Sequence, residues 1–442
     1  MPKATTANTI YSPRYRNYAL AILFIGYVVN FIDRSILSIL LEPIKQELLL
    51  SDTELGLLGG LAFAMFYATL GIPIASLADR WSRTKVLAIS MIIWSAMTAL
   101  CGAANNFLML LLARIGVGVG EAGASPPSHS LISDYFPVEK RATALSIYAL
   151  GIPFGSMIGN FVGGWGAAEL GWRMTFLLVG LPGIFVAGII LTTLREPPRG
   201  MSESAAVKAA AAKNDEPAPA LKEVFKFLWQ RKSFRHLGFA AGLHAFVGYG
   251  AGVWNAPFLI RSHEMPITEV GSWLAIISGI GAIGTFGGGY LGDKLSDWTD
   301  DRRWYLWIAG ISTLVMVPFQ FTAYLYDGIW TVIPALAVVS ILGGMYLGPS
   351  FAMTQALVTL RMRAVASALL LFMLNIIGMG LGPYFVGIAS DLLNPSFEIH
   401  SLRYALCLCV LANLWAAVHY FLGATTLRED LDSTEVLMTQ HS

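Results

Sequence analysis

The sequence predicts an all-α membrane protein with twelve membrane-crossing helices arranged as two six-helix bundles. Three observations predict it. The 442 residues are 55% hydrophobic and 13% charged, with a mean hydropathy of +0.62, whereas a soluble domain carries roughly twice that share of charge. Twelve segments each supply the run of about 20 mostly apolar residues that crosses a hydrocarbon core. The second half of the chain also repeats features of the first, as many transporters do.

The expected spans follow in order. Residues 18–41 form the first, and no cleavable signal pattern precedes it in MPKATTANTIYSPRYRNY, so it is expected to stay in the membrane. Ser51 and Glu54 have capping-box spacing and open the second, 53–78. The third, 85–104, follows the basic loop DRWSRTK. The fourth, 106–133, is slimmed by Gly116, Gly118 and Gly120 and disturbed by Pro126 and Pro127. Arg141-Ala-Thr-Ala opens the fifth, 141–167, and 173–194 is the sixth. In the second half the spans are 235–261, 270–293, 304–326, 329–358, 363–390 and 401–423. Arg363-Ala-Val-Ala opens the eleventh as Arg141 opens the fifth. Many of these stretches are rich in Gly and Pro, which predicts kinks and tilts. The Gly-rich runs 151–166 and 271–292 suit close helix contacts, either as a sliding gate or as plain packing.

Five regions result: an N-terminal tail 1–17, a bundle 18–194, a linker 195–234, a bundle 235–423 and a C-terminal tail 424–442. The linker is rich in Pro, Ala and charge until LKEVFKFLW, which reads as a short amphipathic surface helix. Arg14, Arg16, Arg80, Arg83, Lys85, Lys140, Arg141, Lys294, Arg302, Arg303, Arg361 and Arg363 share one side. The other side holds little beyond Lys45, Arg173, Arg261 and Arg403. The positive-inside rule places both termini in the cytoplasm, and the inner (plasma) membrane is the expected location.

Composition also excludes. A net charge of +1 gives no reason to expect a nucleic-acid partner. Cys101, Cys407 and Cys409 lie in apolar runs with neither zinc spacing nor a disulfide framework. There is no P-loop, Rossmann fingerprint or nucleophile constellation, so neither an enzyme nor an ATP-driven pump is expected, and no cofactor beyond a coupling proton.

ASLADRWSRTKVL is similar to the G-x-L-a-D-R-x-G-R-[KR] loop of the major facilitator superfamily, with Ala75 and Ser82 in place of its two glycines. A partial echo, GGYLGDKLSD, aligns Asp79 and Arg80 with Asp293 and Lys294. Together with twelve spans and a central linker, this resemblance extends over residues 15–425 and implies the fold of that superfamily. Within it, NFIDRSILSILLEPIKQEL, LGLLGGLAFAMFYATLGIPIASLADR, LARIGVGVGEAGASPPSHSLISDYFP and GWRMTFLLVGLPG resemble the Spinster group. The second half matches more loosely. The Spinster resemblance implies lysolipid or sphingoid-phosphate substrates and proton coupling. The superfamily resemblance implies that Asp79, Arg80 and Arg83, with Asp293 and Lys294, act as a cytoplasmic latch.

Charges inside apolar runs are the best lead to chemistry, because a charge at mid-bilayer costs at least ~2.5 kcal/mol. Asp33 and Arg34 are adjacent, so they point about 100° apart on a helix, and Asn30 lies one turn before Asp33. Arg114 and Glu121 are seven residues apart and share one helix face. Asp33 and Glu121 are the expected proton-coupling acids. Arg114, Arg34 and Asn30 are expected to meet an anionic substrate, with fixed structural ion pairs as the alternative. In the second half, His244, Trp254, Asn255 and Asn375 are candidate cavity-lining residues on an otherwise apolar wall. The expected activity is alternating-access secondary transport of an amphipathic anionic lipid. Proton symport of small organic anions, a transporter-like sensor and a scramblase are the alternatives. A monomer in the lipid bilayer is expected.

Overall fold

The computed structural model of the protein describes residues 11–202 and 221–440. Among these residues the regular structure is helical throughout. Helix α1 (Pro13–Leu48) is followed by α2 (52–80), α3 (Arg83–Cys101), α4 (Phe107–Tyr135), α5 (138–170) and α6 (172–193). A short helix, α7 (Leu221–Gln230), precedes α8 (Lys232–His263), α9 (Ile267–Thr299), α10 (Trp304–Leu325), α11 (Ile329–Ala356), α12 (363–397) and α13 (Ser401–Gln440). All but α7 are long enough to cross a bilayer. The remaining helices give the expected twelve spans, two successive pairs of which run on almost without interruption.

Those near-continuous pairs have local causes. Helix α5 turns into α6 at Gly171, whose φ of 76° is available to glycine without steric cost. Helix α12 gives way to α13 across Glu398 to His400, with Glu398 at φ 47°. At the start of α2, Ser51 and Glu54 form the expected capping box. Helix α4 breaks between Glu121 and Ser125, where Pro126 and Pro127 begin its second segment.

Contacts divide the chain into two compact units that do not follow chain order. One comprises 1–36 and 66–217, the other 37–65 and 218–442. Within the second unit, the later part of α1 and the start of α2 pack with helices from the second half. The packing of α2 on α12 is close because small residues permit it. A Cβ on Gly56 would lie 2.6 Å from the Pro383 carbonyl oxygen, and one on Gly60 2.7 Å from that of Gly380. Both helices carry a π-helical stretch here, Leu57–Leu61 and Leu374–Leu381. In the first unit, Gly155 of α5 lets the α1 backbone at Val28 approach to 2.5 Å from where its Cβ would sit. The Gly-rich run of α9 packs at Gly284 and Gly288 against the backbone of α11.

Helix α13 continues well past 423, the expected end of the last span. Tyr420, Ala424, Leu427 and Leu431 continue a buried stripe at four- and three-residue spacing and join a core with Val224 and Leu228 of α7. Asp430 accepts hydrogen bonds from the Ser233 amide (2.9 Å) and hydroxyl (2.6 Å), tying the extension to the start of α8. In α7, Val224 and Leu228 are buried while Phe225 and Trp229 stay exposed and stack on each other. Linker residues 203–220 lie outside the described residues.

Candidate functional site

The charges that interrupt the apolar runs of α1 and α4 meet in the first unit. Glu121 is fully buried, and its Oε2 accepts from Arg34 Nε at 2.5 Å. Arg34 keeps 19% of its side chain exposed and lies over the rings of Phe31 (5.0 Å) and Tyr67 (4.6 Å). The aromatic faces supply cation–π attraction to a guanidinium that is only partly hydrated. The sequence places Arg114 on the same helix face as Glu121 and leaves open which cation the acid meets. In the structure Arg34, from the neighbouring helix, closes the ion pair. Arg114 is buried in the same cluster, and its charge acts on both Glu121 and Asp33.

Asp33 points into the same interior, fully buried, and neither carboxyl oxygen has a hydrogen-bond partner. Asn30, one turn earlier, is buried with its amide oxygen and nitrogen also unpaired. The second oxygen of Glu121, Oε1, is in the same condition. Buried polar groups are ordinarily bonded, and here open donors and acceptors stand together in one cluster.

A second charged cluster, in the second unit, was read in the sequence only as loop charge. Arg261 at the end of α8 holds Asp52 with both terminal nitrogens, at 2.8 and 3.0 Å, and Glu42 through Nε at 2.6 Å. Lys45 Nζ reaches the same Asp52 carboxylate at 2.5 Å, and the Ser390 hydroxyl donates to it at 2.6 Å. Asp391 of α12 accepts the Asp52 and Thr53 amides at 3.0 and 2.7 Å, satisfying the open N–H groups at the start of α2. Arg261 and Lys45 had been counted among the sparse cations of one side, but Glu42, Asp52 and Asp391 were missed. Their only sequence signal is acids beside span ends, which solvated loops share.

The D-R-x-x-R loop separates into unlike parts. Arg80 is exposed at the end of α2, and the Asp79 side chain lies outside the described residues. Arg83 is buried, paired with Asp134 and with Glu196 (2.7 Å), and it also donates to Ser130 (2.8 Å) and to the Pro197 carbonyl (2.7 Å). Glu196 further accepts the Thr84 amide at 3.0 Å. This loop therefore fastens the first residues of the linker to its own unit. At the echo, Asp293 accepts from the Tyr305 hydroxyl at 2.6 Å and Lys294 lies 5.7 Å from the Tyr290 ring centre.

The second-half candidates are engaged internally. His244 is buried, with one ring nitrogen 2.8 Å from the Thr313 hydroxyl and the other 3.1 Å from the Gly343 carbonyl. Trp254 is buried and donates to the Pro383 carbonyl at 2.8 Å. Asn255 accepts from the Tyr324 hydroxyl at 3.0 Å, and Asn375 is buried in the π-helical stretch of α12.

Comparison with known proteins agrees with this architecture. Residues 23–424 match the model of the Major Facilitator Superfamily. An MFS-type efflux pump of Mycolicibacterium smegmatis is 33% identical over 95% of both chains. A solved bacterial homolog of the human lysosomal transporter Spinster, in an inward-facing and unoccupied conformation, has 32% identity and a TM-score of 0.85. That match covers 95% of this chain and 99% of the other. A probable L-galactonate transporter of Escherichia coli is 30% identical over 64% of this chain and 62% of its own. The chain belongs to the Major Facilitator Superfamily. It is an integral multi-pass membrane transporter that resembles the Spinster group, and it is not an enzyme.

Proposed function

We propose that this protein is a proton-coupled secondary transporter working by alternating access, with an amphipathic anionic lipid such as a lysolipid or sphingoid phosphate as substrate. One observation carries the reading: a closed Arg34–Glu121 pair stands beside a buried, unbonded Asp33 in one cluster. Arg34 and Arg114 supply cations for an anionic head, and an arriving anion competes with Glu121 for Arg34. Releasing Glu121 from its cation favours its protonation, which lowers the charge carried through a closed, low-dielectric intermediate. The resemblance of the first-half motifs to the Spinster group is what points to the lipid class. The basic side faces the cytoplasm by the positive-inside rule, so the Arg261–Asp52 cluster lies on the outer side.

The runner-up is a proton symporter for small organic anions, favoured by the likeness to a sugar-acid transporter. Purified protein in liposomes, with and without a pH gradient, separates the readings. Lysophosphatidylglycerol moving only with the gradient, and no longer driven in Asp33→Asn or Glu121→Gln, is the expected result. Gradient-driven galactonate with no lipid flux establishes the runner-up. Lipid flux indifferent to the gradient identifies a scramblase, and absence of any flux a sensor.

A further inference from the structure

One face of α3 takes no part in the Arg34–Glu121 pair, yet it carries polar groups at full burial. Trp94, Thr98 and Cys101 follow one another at four- and three-residue spacing, so they line a single side of that helix. All three are inaccessible to solvent. The Trp94 indole N–H and the Thr98 hydroxyl are the side-chain donors facing the Asp33 carboxylate, and neither closes a hydrogen bond with any group. Two donors thus stand, both unbonded, beside an acid whose two oxygens are unbonded as well. Their position is held firmly. The backbone of α4 at Gly120 lies against Trp94, where a Cβ would fall 2.5 Å from the Trp94 amide nitrogen. Replacing that glycine would displace the indole.

We propose that Thr98 and Trp94 are positioning residues for the coupling proton, both donating to Asp33 when it is ionised; on protonation Trp94 releases it and the Thr98 hydroxyl turns from donor to acceptor. The donor inventory gives the asymmetry. An indole N–H can only donate, so it rewards the carboxylate alone. The Thr98 hydroxyl donates to the carboxylate and accepts from the protonated acid. Asn30, unbonded and one turn from Asp33, offers a second acceptor for that proton and also faces Glu121. Asn30 thus stands near both acids.

Other groups act on the same acid. Glu121 and Arg114 face it from α4, Cys101 from α3, and Arg34 follows it on α1. Helices α5 and α6 meet this stretch of α1 through Gly155, Gly159 and Gly183, and so bring no charge at those contacts. The inference rests on the proton-coupling reading, and its test separates the two.

The experiment is infrared difference spectroscopy of the purified protein across pH. The C=O band of protonated Asp33 is identified by its loss in Asp33→Asn. Loss of a donor to the charged form moves protonation to higher pH. Thr98→Val is expected to shift the midpoint of that band upward by roughly one pH unit. Thr98→Ser, which keeps the hydroxyl, is expected to titrate as wild type. Trp94→Phe is expected to shift the midpoint in the same direction and decides the matter if Thr98→Val does not fold. A Thr98→Val or Trp94→Phe protein that folds and titrates as wild type overturns the inference while leaving proton coupling intact. Gradient-driven flux that survives in both Asp33→Asn and Glu121→Gln overturns the coupling reading itself.

Discussion

The two charged clusters of this molecule differ in how completely they are paired. Around Arg261, each acid is held: Asp52 meets two cations and a hydroxyl, Glu42 meets Arg261, and Asp391 caps a helix start. Around Asp33, two carboxyl oxygens, an amide, an indole N–H and a hydroxyl stand open, with one closed ion pair between Arg34 and Glu121. Both clusters are mostly buried and both contain acids and arginines, so burial and composition do not distinguish them. Pairing does. A saturated network resists change because removing any member strands the others. An unsaturated one accepts a proton or an anion without first breaking a set of bonds.

The largest expected effect tests the saturated side. Arg261→Ala leaves Asp52 and Glu42 without their bidentate and single contacts, and breaking a buried pair this way costs about 3–5 kcal/mol. Thermal melting of the purified protein in detergent should drop accordingly, with Arg261→Lys intermediate because it loses the two-nitrogen fork. A melting temperature equal to wild type in Arg261→Ala would show that the network is not the stabilising one.

A smaller effect comes from the loop network, which is partly exposed. Burial raises the Glu196 carboxyl, but the Thr84 amide and the Arg83 and Ser82 side chains outweigh it and hold the group below its ordinary 4.5. A depressed folded value means that the contribution is present above 4.5 and is lost as pH falls through the folded value. Glu196→Gln should therefore lower stability at neutral pH by under about 1 kcal/mol, given the solvent screening. It should also flatten the acid limb of a melting curve taken against pH. An acid limb identical to wild type would assign that limb to other carboxylates.

The smallest expected effect is the sharpest for the comparison. Asp33→Asn removes a buried carboxylate with no bonded partner and keeps its shape. Melting should stay within about 1 kcal/mol of wild type or rise, since no ion pair is broken and the Asn carbonyl can still accept from the Thr98 and Trp94 donors. A loss on the scale expected for Arg261→Ala would mean that Asp33 is a structural anchor, and the contrast between the clusters would fall.

Much of this was legible in the chain. Spans, the capping box at Ser51, the break at Pro126 and the conspicuous Asp33, Arg34, Arg114 and Glu121 follow from local hydropathy and spacing. The Arg34–Glu121 pair did not, because spacing along one helix says nothing about a cation arriving from the next. Asp52 and Arg261 are 209 residues apart, and each alone looks like an ordinary charge at a span end. The burial of Trp94 and Thr98 beside Asp33 was equally silent, since both residues are common in any apolar helix.

By itself, then, the sequence determined what must avoid water and what is costly to place in lipid: the helices, their number, and which ionisable groups interrupt apolar runs. These are properties of a residue and its near neighbours, written in runs of about 20 residues. Only the tertiary structure decided which of the costly groups are paid off by a partner and which are left open. That depends on side chains brought within about 3 Å of each other by helix packing, across chain distances that carry no periodic signal.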